Sequence, residues 1–235
     1  MSKGLFLTGT GTDVGKTYVA ALLVKKLRDS GINAGYYKGA LSGAQWEHGK
    51  LVPGDCKYVA DVAGIEEAPE KLVSYIYKTA VSPHLAAKIE GPELEMEKIQ
   101  EDFQRMASRS DYILMEGSGG IICPLRTGEK EVMLLDVIRF LGLDVVLVAD
   151  SGLGTLNNTA LTCAYAKQKG IHIGGILMNH YDENSILHRD NRKMIEKLTG
   201  IPVISCIETQ SRDCHLSSDE LCGYFGEIKK KETGK

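Results

Sequence analysis

The sequence predicts an α/β fold: a single three-layer domain whose mostly parallel sheet is covered by helices on both faces. Three observations support this class. The chain has 235 residues, of which 43% are hydrophobic and 25% are charged, so it can bury one sizeable core. Short apolar runs alternate along the chain with longer segments of helical periodicity. The runs are continuously apolar, as in parallel strands that are buried on both faces.

The elements follow one another from strand to helix along the chain. The first helix follows the first strand, and its apolar residues recur at spacings of three and four between residues 19 and 27. Strands are predicted at residues 5–8, 34–38, 112–115, 145–149, 173–178 and 203–207. Further helices are predicted at residues 57–63, 94–107, 133–141, 156–168 and 187–198. Because no repeat or linker divides the chain, residues 1–225 are predicted to form one domain and residues 226–235 a charged, flexible tail.

Charge and composition exclude several classes of protein. There are 28 basic and 31 acidic residues, a net charge of −3, which gives the molecule no overall attraction for nucleic acid or anionic membranes. No apolar run reaches the ~18–20 residues of a membrane span, and the N-terminal segment has too short an apolar core for a signal peptide. The six cysteines form no CxxC pair and are interpreted as mostly buried thiols. We therefore expect a cytoplasmic protein without nucleic-acid or membrane partners.

The most informative motif is Gly-Thr-Gly-Thr-Asp-Val-Gly-Lys-Thr at residues 9–17, between the first strand and the first helix. In a phosphate-binding loop at such a junction, backbone amides and the helix N-terminus converge on phosphate oxygens. Lys16 would reach the terminal phosphates, and the hydroxyl of Thr17 would ligate Mg²⁺. The strict pattern has glycine where this chain has Thr10, so the match fails at one residue. A glycine-rich turn with an exposed lysine is the weaker alternative, and the fold is predicted to be of the P-loop NTPase type.

Polar residues follow several buried strands, at the edge of a parallel sheet where ligands bind. Lys38 can face the phosphate loop, and a solvated lysine at a strand end is an equal alternative. Glu116 ends a predicted strand, where an acidic residue typically holds Mg²⁺ in P-loop proteins. Asn179 ends another strand, and its amide can both donate to and accept from a nucleobase. Asp55 is expected to cap the following helix, or to ligate Mg²⁺ together with Thr17 and Glu116.

Several segments resemble the dethiobiotin synthetase family. The phosphate loop at residues 8–17 is similar to that family's T-G-T-D-T-x-V-G-K-T pattern. Four further segments are similar to its K-P-x-x-[ST]-G, S-P-H-x-A, E-G-[AS]-G-G and G-L-G-T-[IL]-N patterns, and they lie at residues 38–43, 82–87, 116–120 and 152–157. Gly39 stands where the family has proline. The resemblance covers the chain from Gly9 to about Ile207.

The resemblance implies an enzyme that uses ATP and Mg²⁺ to convert 7,8-diaminononanoate and CO₂ or bicarbonate into dethiobiotin, in biotin synthesis. It also implies a homodimer with the substrate site at the subunit interface, because the family binds the carboxylate of the diamine at a helix N-terminus of the partner subunit. The implied catalytic residues are Lys38, Lys16 and Thr12. Nucleotide binding is implied for Asp13, Val14, Gly15, Lys16, Thr17, Tyr18, Asp55, Glu116, Gly117, Ser118, Gly119 and Asn179. Substrate binding is implied for Thr12, Lys38, Ser42, Thr155, Leu156 and Asn157, and metal binding for Thr17, Asp55 and Glu116.

Other P-loop functions are weaker alternatives. A partitioning-type nucleotide switch usually carries an additional lysine early in the loop, which residues 8–13 lack. An amidotransferase synthetase on the same scaffold needs a glutaminase half, for which 235 residues leave no room. The choice between ATP and another nucleoside triphosphate stays open, because the chain after Ile207 departs from the family pattern.

Overall fold

A computed structural model describes residues 2–228, whereas Met1 and residues 229–235, with most of the predicted tail, lie outside the described residues. The strands are β1 (Lys3–Gly9), β2 (Ala34–Ser42), β3 (Gln45–Glu47), β4 (Lys50–Val52), β5 (Val73–Tyr77), β6 (Tyr112–Glu116), β7 (Pro124–Arg126), β8 (Val132–Met133), β9 (Asp144–Asp150), β10 (Ile173–Tyr181), β11 (Val203–Glu208) and β12 (Gly226–Glu227). The helices are α1 (Lys16–Asp29), α2 (Gly54–Ala63), α3 (Pro83–Glu90), α4 (Met96–Ala107), α5 (Leu134–Leu141), α6 (Thr155–Gln168), α7 (Ile186–Thr199) and α8 (Ser218–Cys222).

The central sheet confirms the predicted α/β class. Its strands lie in the order β11-β10-β9-β1-β6-β2-β5, and every neighbouring pair in this order is parallel. The phosphate loop follows β1, which lies at the centre between β6 and β9. Two antiparallel hairpins, β3–β4 and β7–β8, lie outside this sheet. The centre of the sheet is thus the place where the loop is held.

The last described strand corrects the predicted start of the tail. β12 pairs antiparallel with β1, with Gly226 opposite Gly4 and Glu227 opposite Lys3. This position is available because β9 pairs with β1 only from Leu5 onward. Gly226 and Glu227 therefore belong to the sheet and not to a flexible tail.

Strand β2 is longer than the predicted strand at residues 34–38. Its first half pairs with β6, which ends at Glu116, and its second half continues beside β5 as far as Ser42. Lys38 therefore lies in the middle of β2, opposite Glu116, and not at a strand end as expected. Strand β5 is not among the predicted strands, because its residues alternate between buried and half-buried positions and form no continuous apolar run.

Helices cover both faces of the sheet, as two neighbouring tyrosines on β2 demonstrate. Tyr36 and Tyr37 are both fully buried, and side chains at successive positions of a strand point to opposite faces. The Tyr36 hydroxyl reaches Glu116, which also contacts Thr17 on α1. The Tyr37 ring meets the ring of Phe103 on α4, edge to face, with 5.8 Å between centroids. Helices α1 and α4 thus form the outer layers of a three-layer domain.

The burial of the cysteines and the length of the helices can be compared with two expectations from the sequence. Four of the six cysteines are buried and none is in a disulfide: the buried ones are Cys56, Cys123, Cys163 and Cys214. This confirms the interpretation of the cysteines as mostly buried thiols. Among residues 2–228, no helix is both long and apolar enough to cross a membrane.

Phe103→Ala is expected to lower the free energy of unfolding by about 3–5 kcal/mol, because the fully buried ring leaves a cavity against Tyr37. Urea unfolding followed by circular dichroism measures the loss. The control is Ile89→Ala, on the exposed side of α3, which should change stability by less than about 0.5 kcal/mol. Equal stability of the two variants would contradict this packing.

Candidate active site

The phosphate loop, β2 and the end of β6 surround a cavity of about 960 Å³. This is at the upper end of the roughly 300–1,000 Å³ range of ligand pockets. The segments meet because the carboxyl ends of parallel strands lie at one edge of a sheet. Twelve of the residues selected from the sequence line the cavity: Thr12, Asp13, Gly15, Lys16, Thr17, Tyr18, Lys38, Ser42, Asp55, Glu116, Ser118 and Gly119.

The phosphate loop owes its shape to left-handed backbone immediately before α1. Asp13 has a φ of 61° and Gly15 has a φ of 85°, a region that favours glycine. A methyl group added at Gly15 would lie 2.0 Å from Nδ2 of Asn179, so a larger residue does not fit there. The helix then begins at Lys16, directly after the turn.

Lys16 is held by its own loop. Its Nζ donates a hydrogen bond of 2.7 Å to the carbonyl oxygen of Gly11, and the residue is buried. Burial lowers the pKa of Lys16, and the carboxylate of Glu116 partly opposes this shift. An anionic ligand in the loop would offer this ammonium a stronger partner than a carbonyl oxygen.

Lys38 lies at the centre of the charged part of the cavity. Its Nζ donates to Oδ2 of Asp55 and to Oε1 of Glu116, at 2.6 Å in both cases. Burial by itself lowers the pKa of Lys38, but attraction to Glu116 and Asp55 outweighs it and leaves that pKa above the ordinary value. The side chain is only 5% exposed, so the alternative of a solvated lysine is wrong.

Asp55 reaches Lys38 from the first turn of α2. The helix begins at Gly54, its N-cap is Pro53, and no side chain caps it. The expected capping role of Asp55 is therefore wrong, because its carboxylate points to Lys38 instead. Asp55 lies on the open side of the cavity, whereas Glu116 is buried beneath it.

Glu116 accepts hydrogen bonds from three side chains. Its Oε1 accepts from Oγ1 of Thr17 at 2.9 Å and from Nζ of Lys38 at 2.6 Å. Its Oε2 accepts from the hydroxyl of Tyr36 at 2.7 Å. A carboxylate this deeply buried needs such partners, because burying an unpaired charge is costly. Burial and the nearby carboxylate raise the pKa of Tyr36 well above its usual value, so the phenol stays a donor.

The side-chain oxygens of Thr17, Asp55 and Glu116 fit a small divalent cation. Carboxylate oxygens of Asp55 and Glu116 already flank a cation, the Lys38 ammonium, and the Thr17 hydroxyl contacts the same Glu116 oxygen. In the described part of the chain, no group of three or more His, Cys, Asp or Glu residues is placed to hold a metal by itself. Mg²⁺ commonly binds through one or two carboxylates and completes its shell with phosphate oxygens and water. The arrangement therefore suits Mg²⁺ that arrives with a nucleotide.

The segment after β6 brings backbone close to the cavity. Oγ of Ser118 donates to the carbonyl oxygen of Ala40 at 2.6 Å, which ties this segment to β2. A methyl group added at Gly117 would lie 3.0 Å from the side chains of Phe6 and Leu134. Gly117 packs on the core and does not line the cavity, unlike Ser118.

Asn179 lies behind the phosphate loop and outside the cavity. Its Nδ2 donates to the carbonyl oxygen of Val14 at 3.0 Å and lies 3.2 Å from Nε2 of His180, whose Nδ1 is 2.8 Å from Asp150. Its Oδ1 is buried and has no hydrogen-bond partner among the described residues. A buried acceptor without a donor is destabilising, but the structure keeps this oxygen out of the cavity that most of the predicted nucleotide-binding residues line.

The predicted substrate residues on α6 are not in the cavity of the same chain. Thr155, Leu156 and Asn157 form the first turn of the helix. Threonine is a common N-cap residue, so the sequence favours Thr155 as the N-cap, but the N-cap is Gly154, in left-handed conformation at φ 93°. The Thr155 hydroxyl instead donates to the carbonyl oxygen of Asp150. The first turn therefore offers backbone amides rather than a free hydroxyl.

Sequence analysis missed several residues of this site. Tyr58, Cys123 and residues 80–83 line the cavity, and Tyr36 lies beneath Glu116. A signal existed for Tyr36, which precedes Lys38 by two positions and so shares its face of the strand. Tyr58 follows Asp55 by three positions on a helix, which also places both on one face. Ser82 and Pro83 belong to the segment at residues 82–87 that resembles the family pattern, whereas Ala80, Val81 and Cys123 carry no comparable signal.

Comparison with known proteins found close sequence relatives. A family model described as an AAA domain matches residues 3–212. The chain is 48% identical over 228 residues to a protein named ATP-dependent dethiobiotin synthetase from Clostridium botulinum (strain 657 / Type Ba4), with 97% of this chain and 100% of that protein covered. The protein of the same name from strain Okra / Type B1 is 50% identical over 228 residues, with the same coverage.

Solved structures similar to this chain share its fold at low sequence identity. A ParA family ATPase from Chlorobium tepidum TLS has a TM-score of 0.57 and 16% identity, with 95% of this chain and 90% of that chain covered. The septum site-determining protein MinD complexed with Mg-ADP, from Pyrococcus horikoshii OT3, has a TM-score of 0.54 and 18% identity, with 88% of this chain and 82% of that chain covered. These likenesses confirm a fold of the P-loop NTPase type.

Gly15→Ala is expected to weaken nucleotide binding at least about tenfold, because the new methyl group collides with Asn179 and the backbone is left-handed. Isothermal titration with the β,γ-imido analogue of ATP measures the change. Gly11→Ala is the matched control, because nothing lies within 4 Å of a methyl group added there. Equal affinities of the two variants would show that the shape of the loop does not depend on Gly15.

Proposed function

The chain belongs to the ATP-dependent dethiobiotin synthetase family, and from this membership we propose that it uses ATP to join 7,8-diaminononanoate and CO₂ into dethiobiotin, a reaction of biotin synthesis. The observation that carries the proposal is the single cavity in which the phosphate-loop Lys16 and the charged cluster of Lys38, Asp55 and Glu116 meet. On the composition described above, the enzyme acts in the cytoplasm without nucleic-acid or membrane partners.

The reaction has three steps in this proposal. One amine of the substrate adds to CO₂ and releases a proton, which gives a carbamate. A carbamate oxygen then attacks the γ-phosphorus of ATP, and ADP leaves. Finally the second amine attacks the carbamoyl carbon, and phosphate leaves as the cyclic urea closes. No step needs a covalent nucleophile from the protein.

The chain's own contribution is positioning and positive charge. Phosphoryl transfer requires neutralisation of charge that spreads over the phosphoryl oxygens. Lys16 and the loop amides would pair with the nucleotide phosphates, and Thr12, which lines the same cavity, would donate to the carbamate or phosphate. Lys38 has two alternative anionic partners: the carboxylates that it contacts in this structure, and the carbamate and phosphoryl oxygens of the substrates.

Thr17, Asp55 and Glu116 would hold Mg²⁺, whose oxygen preference they match. When bound, Mg²⁺ neutralises charge on the β- and γ-phosphates and orients them. The nucleobase contact predicted for Asn179 would require a rearrangement that exposes its buried Oδ1 to the cavity. ATP is proposed as the co-substrate because of the family membership, and an amide contact by itself does not distinguish adenine from guanine or cytosine, which also carry an exocyclic amine.

The substrate site is proposed to be completed by a second copy of the chain. The amides of Thr155, Leu156 and Asn157 lie outside the cavity, and amides at a helix N-terminus favour an anion such as the carboxylate of the diamine. Two exposed leucines flank this turn, since Leu153 is 92% exposed and Leu161 on α6 is 62% exposed. A homodimer in which this surface is covered would bring the helix of one subunit to the cavity of the other.

Lys38→Gln is expected to lower the turnover number for dethiobiotin by about 10²–10³, because a charge in contact with the transferred group is removed. Wild-type protein, Lys38→Gln and Lys57→Gln, each with the wild-type circular dichroism spectrum, are incubated with 7,8-diaminononanoate, bicarbonate, Mg²⁺ and single nucleotides, and dethiobiotin is measured by mass spectrometry. Lys57→Gln, which removes an exposed lysine paired with Glu47, should retain wild-type turnover. Nucleotide hydrolysis that does not require the diamine would instead favour a partitioning-type switch.

Leu161→Glu is expected to convert the dimer to monomers, because it places a charge on the proposed apolar interface. Light scattering after size exclusion measures the mass. The KM for the diamine should rise at least about tenfold while the KM for ATP changes little, since only the diamine uses the second subunit. Leu198→Glu, an equally polar change at an exposed site on α7, is the control. A dimer that survives Leu161→Glu would contradict the proposed interface.

A further inference from the structure

We propose that Tyr36 sets the metal preference of this site by restricting Glu116 to a single oxygen that faces the cation, and thereby favours Mg²⁺ over Ca²⁺. The inference rests on the magnesium site of the proposed function. Tyr36 is a positioning residue in this scheme, because it acts through Glu116 and contacts neither substrate nor cation.

The hydrogen bonds divide the two oxygens of Glu116 between different partners. Oε1 contacts the Thr17 hydroxyl at 2.9 Å and the Lys38 ammonium at 2.6 Å, so it faces the cavity. Oε2 contacts the Tyr36 hydroxyl at 2.7 Å, within the protein. The carboxylate thus has an outward and an inward oxygen.

Tyr36 is a firm anchor for the inward oxygen. It is fully buried on the inner strand β2, where it lies opposite Leu114, and Lys38 two positions later lies opposite Glu116. Tyr36, which contacts Oε2, and Lys38, which contacts Oε1, therefore lie on the same face of β2.

The number of oxygens that Glu116 can offer decides which cation fits. Mg²⁺ requires near-octahedral geometry with short bonds, which a carboxylate satisfies with one oxygen. Ca²⁺ accepts six to eight oxygen ligands and commonly takes both oxygens of a carboxylate. Bidentate binding by Glu116 would require the carboxylate to rotate until Oε2, which now faces Tyr36 inside the protein, also faces the cavity. This rotation weakens the only hydrogen bond that the structure shows for the buried phenol among residues 2–228. The anchor thus penalises Ca²⁺ more than Mg²⁺.

The neighbouring Tyr37 offers a matched control. It is equally buried on the same strand, but it points to the opposite face and contacts Ser74 and the backbone of Ile99. Tyr36→Phe and Tyr37→Phe each remove one buried hydroxyl oxygen, and only the first loses a contact with Glu116.

The experiment measures the affinity of the β,γ-imido analogue of ATP in Mg²⁺, in Ca²⁺ and in EDTA by isothermal titration. In Tyr36→Phe, the gain in affinity that Ca²⁺ provides should rise about tenfold, because Oε2 is then free to turn toward the cation. The gain that Mg²⁺ provides should change less than about threefold, because Mg²⁺ uses one oxygen of Glu116, so the preference for Mg²⁺ narrows. Tyr37→Phe should keep the wild-type preference.

Four outcomes would count against the inference. An unchanged preference in Tyr36→Phe, or an equal change in both tyrosine variants, overturns it while the proposed function stands. Equal affinity of the wild-type protein for the analogue in Mg²⁺ and in EDTA would show that the proposed magnesium site does not exist. A double-mutant cycle separates this effect from a general disturbance of the fold by Tyr36→Phe. In a Glu116→Gln background no carboxylate remains to be restricted, so adding Tyr36→Phe should not change the preference for Mg²⁺ over Ca²⁺ any further. A further change in that preference would overturn the inference.

Discussion

The pairing of one lysine with two carboxylates at the edge of the sheet is the constraint on which the rest of the site depends. Lys38 and Glu116 lie opposite each other on neighbouring parallel strands, so the register of β2 against β6 brings opposite charges together in a buried position. Neither charge would be tolerated there alone, because an unpaired buried ion is strongly destabilising. The phosphate loop and α2 are then arranged around this pair, through Thr17 and Asp55 respectively. The charge distribution that the chemistry needs is therefore also part of what holds these elements together.

Sequence reasoning succeeded where a residue type has a single physical explanation. A glycine-rich loop that ends in Gly-Lys-Thr between a strand and a helix has few other uses, and an acidic residue such as Glu116 at the end of an apolar strand is costly without a partner. The continuous apolar strands likewise specified a parallel sheet. These features fixed the fold class and most of the cavity from local patterns.

The failures came from contacts that local patterns do not encode. Tyr36 looks like an ordinary core aromatic until β6 places Glu116 beside its hydroxyl. Lys38 was expected at a strand end because its apolar run stops there, but β5 extends the pairing of β2 by four residues to Ser42. Asp55 and Thr155 have the residue types of helix caps, yet one side chain is held by a lysine and the other by a backbone carbonyl. In each case a tertiary partner outweighs the local preference.

The central position of β1 has a consequence for synthesis of the chain on the ribosome. This strand is made before its neighbours β6 and β9, which begin more than a hundred residues later, and the loop amide of Thr10 bonds to the carbonyl oxygen of Val148. Contacts between such distant segments slow folding, because a long stretch of chain must be ordered before they form. A nascent chain therefore carries a phosphate loop without its neighbouring strands until β9 has left the ribosome.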